Sequence, residues 1–229
     1  MHDLTTQQYL FPMKKIIFLF TFILASQIAF SQGKMKIALL KYRGGGDWYS
    51  VVDALQNIVK YSNKELNTSI DADYATIDVG SAEIFNYPFL FMTGHGNVVL
   101  SDEEATNLRN YCLAGGFIFI DDDFGMDPYI KVVLKKIFPE NALQELPFEH
   151  PVFHQKYNFA KGIPKVHEHE GKSPKTYGVF DKNRLCLIYA AESNISDGWE
   201  SPEVHKDPEE VRQQSLRMGA NILQFAFQQ

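Results

Sequence analysis

The chain has 229 residues, of which 45% are hydrophobic and 22% charged, and it carries a formal net charge of −6. That balance fits a globular protein with a sizeable core and argues against a disordered or low-complexity chain. An acidic chain with no clustered basic stripe also argues against nucleic acid or an anionic membrane as partner.

The first readable element is an export signal. Met13-Lys14-Lys15 is a short positive start, Ile16 to Ile28 is mostly apolar, and Ala29-Phe30-Ser31 sets small residues where a signal peptidase reads. The apolar run, about 13 residues, is too short for a comfortable membrane span. The expectation is a leader over residues 1–31 and one domain over 32–229, periplasmic or extracellular, with no membrane span after cleavage. Removal of Asp3, Lys14 and Lys15 takes away a net +1, which leaves the mature domain near −7.

Beyond the leader, strands and helices alternate. Ile37 to Leu40 reads as a strand, followed by the loop Arg43-Gly44-Gly45-Gly46-Asp47 and a helix from about Ser50 to Tyr61. Tyr74 to Val79 reads as a second strand, and the continuously apolar Pro88 to Thr93 as a central parallel one. Ser101-Asp102-Glu103-Glu104 has the capping-box pattern that opens a helix, and Gly115-Gly116 has the chemistry that closes one. Phe117 to Ile120 is the next strand and stops at Asp121-Asp122-Asp123; a helix over Ile130 to Phe138 follows. Residues 139–177, rich in Pro, His and Gly, predict long ordered loops with a short strand near Leu143. Tyr177 to Phe180 and Leu185 to Ala190 predict a strand pair joined at Asp181-Lys182-Asn183. Asp207 and Pro208 read as N-cap and first residue of a terminal helix. Cys112 falls in a helix and Cys186 in a strand, which predicts two buried free thiols rather than a disulfide.

This βαβ rhythm predicts a mainly parallel sheet between helical layers, and ligands of such sheets bind beyond the carboxyl ends of the strands. The loops after the first, third and fourth strands should therefore meet. They bring Arg43, Gly45, Asp47 and Trp48 together with His95, Asn97, Asp121 and Asp122. The Gly triplet could admit an anion to backbone N–H groups, but it matches neither the P-loop nor the dinucleotide fingerprint. Three consecutive carboxylates repel one another unless a divalent cation or backbone N–H groups compensate. His150 and His154, four apart, and the Asp197-Gly198-Trp199-Glu200 loop add further candidate ligand contacts. His167 and His169 read as part of a solvated acidic loop.

The ordered segments RGGGDWY, YPFLFMTGHGNVVLSDEEATNLRNYCLAGGFIFIDDDFG, EHPVFH, SDGWE and the terminal RMGANIL together resemble a bacterial family named for a domain of unknown function, number 4159, over about residues 35–227. The resemblance implies a class I glutamine amidotransferase-like fold, a flavodoxin-like three-layer α/β sandwich. Such enzymes carry a Cys nucleophile on a G-x-C-x-G elbow. Here the comparable strand end carries Asp121-Asp122-Asp123, so a thiol glutaminase is not expected; nor is there a G-x-S-x-G elbow.

Three readings remain open at this level. One is an exported domain whose cleft binds a sugar, an envelope fragment or an envelope protein through Arg43, Gly45, Trp48, Asn97, His150, His154, Asp197 and Trp199. Another is a hydrolase with a divalent metal on Asp121, Asp122 and His95 and Asp47 as general base. The third is a structural scaffold.

Overall fold

The central strands are apolar except at their ends, so each buries both of its faces, and the pleat sorts its side chains into two layers. The computed structural model of the chain describes residues 34–229 apart from 52, 142, 169 and 170. The export-signal reading, and His169, lie outside the described residues. The strands are β1 (Ala38–Lys41), β2 (Ala75–Asp78), β3 (Phe89–Met92), β4 (Phe117–Asp121), β5 (Gln144–Glu145), β6 (Lys175–Asp181) and β7 (Arg184–Ala191). They form one sheet in the order β2-β1-β3-β4-β7-β6-β5. Strands β2, β1, β3, β4 and β7 run parallel; β6 turns back along β7, and β5 pairs antiparallel with β6.

Helices cover both faces. α1 (Ala54–Leu66) and the long terminal α5 (Glu209–Gln228) pack together on one, while α2 (Asp102–Leu113) and α3 (Asp127–Ile137) pack on the other. A short α4 (Pro202–His205), absent from the sequence reading, precedes α5. Along β4, Ile118 and Ile120 join the core beneath α2 and α3, whereas Phe117 and Phe119 join the core beneath α1 and α5. In β3 the same alternation sends Leu90 and Met92 one way and Phe89 and Phe91 the other. Among the described residues, no helix is long and apolar enough to cross a membrane. Cys112 and Cys186 are buried free thiols.

Local signals acted as the residues demand at most boundaries. Ser101 Oγ accepts the Glu104 N–H at 3.2 Å, and Glu104 Oε2 accepts the Ser101 N–H at 2.6 Å, closing the capping box. Two starts differ from expectation. α1 begins at Ala54 because residues 47–50 form a turn first, the Ser50 N–H donating to the Asp47 carbonyl at 2.8 Å. Asp207 does not cap α5: Pro208 holds that position, and the Asp207 carboxylate turns to His167.

Gly116, between α2 and β4, shows how tightly the edge is closed. A Cβ there would come within 2.2 Å of the Tyr111 ring. The Tyr111 hydroxyl is fixed where it is, donating to the Tyr87 carbonyl at 2.8 Å and accepting the Phe117 N–H at 3.3 Å. Gly116→Ala must therefore displace a buried ring. We expect it to destabilise the fold by about 1–3 kcal/mol, read as a lower urea midpoint with unchanged slope.

Candidate functional site

The chain leaves β1 toward β2 on one side and reaches β3, β4 and β7 on the other. The crevice between β1 and β3 is therefore the topological switch point, where open parallel sheets take ligands. Asp47 follows β1 and His95 follows β3, and they meet there. His95 Nδ1 lies 3.0 Å from both Asp47 oxygens, and the His95 backbone N–H donates to Asp47 Oδ1 at 2.6 Å. Burial pushes the Asp47 carboxyl up, but the backbone and side-chain hydrogen bonds from His95 outweigh it and hold Asp47 below the usual carboxylate range. Ionised Asp47 can only accept, so Nδ1 carries a proton. Nε2 faces Asp123, with Oδ2 3.3 Å away.

The pleat decides what the three aspartates do. Odd-numbered side chains of β4 face the α1 and α5 layer, so Asp121 and Asp123 point one way and Asp122 the other. Asp122 Oδ1 accepts the Met126 N–H at 2.9 Å, and its Oδ2 accepts the Tyr189 hydroxyl at 3.2 Å. Asp121 is fully buried, and its Oδ2 accepts the Ser196 N–H at 2.7 Å and hydroxyl at 2.6 Å. The expected set of His95, Asp121 and Asp122 thus does not converge; Asp123 is the carboxylate that meets His95. The Asn194 side chain donates to the Asp123 carbonyl and, at 3.2 Å, to its Oδ1. Asn194 adopts φ 52°, a left-handed conformation that Asn tolerates better than most residues.

Past β7, whose carboxyl end lies at the same edge, Asp197 is the centre of a second group. Asp197 Oδ2 is 2.7 Å from His167 Nδ1, and Oδ1 is 3.7 Å from His205 Nε2. One ligand atom from each of His167, Asp197 and His205 lies within 4.8 Å of the others, a spacing that could hold a metal ion. Behind His167, Asp207 Oδ1 lies 2.9 Å from Nε2, whereas Glu200 Oε2 lies 2.7 Å from His205 Nε2, the same nitrogen that faces Asp197. An outer carboxylate such as Asp207 orients a ligand histidine in metal sites. Asp207 Oδ2 is buried with no hydrogen-bond partner. The charge of Asp123 also acts on Asp197. Burial, then the charges of Asp123, Asp121 and Glu200, push the Asp197 carboxyl up to about 9. Burial likewise raises Asp121 to about 7 and Asp122 to about 6.

The other expected contacts stand elsewhere. Arg43 pairs with Glu104 at 3.1 Å, away from His95. Gly45 has φ +92°, and the neighbouring Gly46 N–H donates to the Asn97 carbonyl at 3.0 Å, so these glycines and Asn97 stitch two loops together. Trp48 is half-buried against both cores. Trp199 is 2% exposed, lies over Phe91 and Phe119, and donates to the Ser215 carbonyl at 3.0 Å; it is a core residue without a face for a ligand. His150 Nδ1 accepts the Val152 N–H at 3.2 Å and sits against Phe225, near the far end of α5. At 1.5 Å per residue that is about 24 Å along the helix from its start beside Asp207. His154 ties Phe148 to Asn158 within its own loop. Neither histidine joins the site.

Asp123, His167, Glu200, His205 and Asp207 escaped the sequence reading as ligands. The pleat period could have found Asp123. Nothing in spacing marks the others, because their partners come from three separate segments.

A search of the curated proteins gives no match for the chain. The profile of the family described as Domain of unknown function (DUF4159) matches residues 36–227, nearly all of the folded chain, and the protein belongs to that family.

Proposed function

We propose that this protein is an exported hydrolase dependent on a divalent cation, which is held by His167, Asp197 and His205. The observation that carries the reading is Asp197, a buried carboxylate that faces two imidazoles, one of which, His167, is held on its other nitrogen by Asp207. Two nitrogens and one oxygen form the three-ligand set typical of catalytic zinc. A cation held by His167, Asp197 and His205 would lower the pKa of a bound water toward neutrality. Burial of Trp199 weighs against the sugar-stacking alternative. Tyr49, 66% exposed, and Phe124, 45% exposed, adjoin the site in sequence and offer apolar surface to a substrate. Export rests on the signal-like N-terminus, and the amidotransferase-like ancestry rests on the resemblance of the motifs.

Metal analysis of the purified domain after dialysis against zinc or manganese tests this. We expect at least one tightly bound ion, a loss of affinity of more than about 100-fold in Asp197→Ala, and losses of about 10–100-fold in Asp207→Ala through the outer carboxylate. Turnover of chromogenic esters, phosphoesters and amides should appear with the ion and vanish on chelation. A wild-type domain that retains no ion sinks the reading.

A further inference from the structure

The crevice between β1 and β3 gathers negative charge that no basic side chain answers. Asp47 and Asp123 stand on the two ring nitrogens of His95, at 3.0 and 3.3 Å, as ordinary His–Asp pairs. Two carboxylates on one imidazole leave a net negative charge even with both nitrogens protonated. The other partners of Asp123 are neutral: Ser50 Oγ donates to Oδ2 at 3.3 Å, and Asn194 Nδ2 donates to Oδ1 at 3.2 Å. Among the described residues, no Lys or Arg forms an ion pair with Asp47 or Asp123. Arg43, on the loop that carries Asp47, turns instead to Glu104. The two carboxylates differ in access. Asp123 is 5% exposed, whereas the Asp47 side chain is 34% exposed, within reach of a ligand. Burial of Asp47 is outweighed by its hydrogen bonds from His95, so it stays ionised.

Aromatic surface marks the same crevice independently. Tyr49 is 66% exposed and Phe124 45% exposed. Tyr49 adjoins Ser50, which donates its N–H to the Asp47 carbonyl at 2.8 Å and its hydroxyl to Asp123. Phe124 follows Asp123 directly, and its carbonyl accepts the Gly96 N–H at 2.9 Å, which sets Phe124 beside His95. The Tyr49 ring stands at 90° to that of Trp48, centroids 5.3 Å apart. Two large rings left in water around an ionised carboxylate make the pattern by which proteins hold ammonium groups. The carboxylate supplies the charge, and the negative faces of the rings supply the quadrupole.

We infer that the crevice between β1 and β3 binds a protonated or methylated amine, with Asp47 as its counter-charge and Tyr49 and Phe124 as the surface against which its substituents lie. Asp123 adds to the field from behind and His95 holds the two carboxylates in place. A phosphate or carboxylate ligand would meet like charge here and is disfavoured. The site involves none of His167, Asp197 and His205 and needs no metal ion, so it goes beyond the hydrolase reading and does not rest on it.

The test is titration of the chelator-treated, full folded domain with benzylammonium, benzyl alcohol and benzoate, which differ in charge and little in size. Backbone amide resonances report both affinity and place. We expect benzylammonium to bind at least about 10-fold more tightly than benzyl alcohol, and benzoate to bind least. The shifts should centre on Tyr49, His95, Gly96 and Phe124. Raising the salt from about 0.01 to about 1 M should weaken the amine and leave the alcohol unchanged. Tyr49→Ala, a change at a largely exposed position, should weaken benzylammonium about 2–5-fold. Asp47→Asn should bring the amine down to the level of the alcohol, and circular dichroism of each variant separates lost binding from unfolding. Equal binding of the three probes, shifts centred on another acidic patch such as Asp102 and Glu103, or no saturable shift with the amine overturns the site.

Discussion

Trp199→Ala is expected to lower the stability of the metal-free domain by about 3–5 kcal/mol. The indole is buried against Phe91 and Phe119, with ring centroids 5.6 and 5.9 Å away, and its N–H satisfies the Ser215 carbonyl. A Cβ on Gly219 would come 2.8 Å from the indole, so α5 already approaches as closely as it can and cannot settle into the void. Alanine therefore leaves both a cavity and an unpaired carbonyl. Trp199→Phe keeps most of the volume and loses the donor; it should cost clearly less. Urea unfolding of the two variants decides the matter, and a loss below about 1 kcal/mol for alanine would contradict the packing described.

Raising the pH should destabilise the chelator-treated domain. Burial lifts Asp122 to about 6, Asp121 to about 7 and Asp197 to about 9, all from an unfolded value of 3.8. Between 3.8 and those values the native chain holds more protons than the unfolded one, so stability falls as pH rises, across roughly pH 4 to 9. Asp121 alone, displaced by about three units, accounts for on the order of 4 kcal/mol. The groups facing these carboxylates are Asp123, Glu200, Asp207, His167 and His205 on one side and Tyr189 and Asp127 on the other. Lowered groups act in the opposite sense. Asp47 and Asp53 add stability as pH climbs past their depressed values, below the window considered. Half-buried His150, pushed down by burial, gains some stability toward pH 6.5. The net expectation is a fall in Tm on the order of 10 °C from pH 5 to pH 9, flattened in Asp197→Asn. A wild-type profile that rises over this range would show that the acidic group is not buried as described.

The sheet was readable because its signals are local. Continuous apolar runs at Pro88 to Thr93 and Phe117 to Ile120 marked buried parallel strands, and the Ser101 and Glu104 pair marked a helix start. That the loops after β1 and β3 would meet followed from strand direction, and Asp47 does meet His95. The choice among Asp121, Asp122 and Asp123 depended on pleat phase. Phe117 and Phe119 set that phase, and its continuation past the strand end is what turns Asp123 toward His95. Trp199 and Asp207 were misread for a common reason. Each stands in a polar stretch of sequence, and only the docking of α5 makes one a core residue and gives the other a histidine to face.

The proposed donors stand on two segments, His167 ahead of β6 and Asp197 and His205 beyond β7. They meet only when the strand pair between them has formed, in contrast to a zinc finger, where a few neighbouring ligands drive folding. A cation held there would therefore arrive late, and its capture would report that this half of the sheet has assembled. A chain passed unfolded through an export pore would carry no ion with it and would draw its metal from the compartment in which it comes to rest.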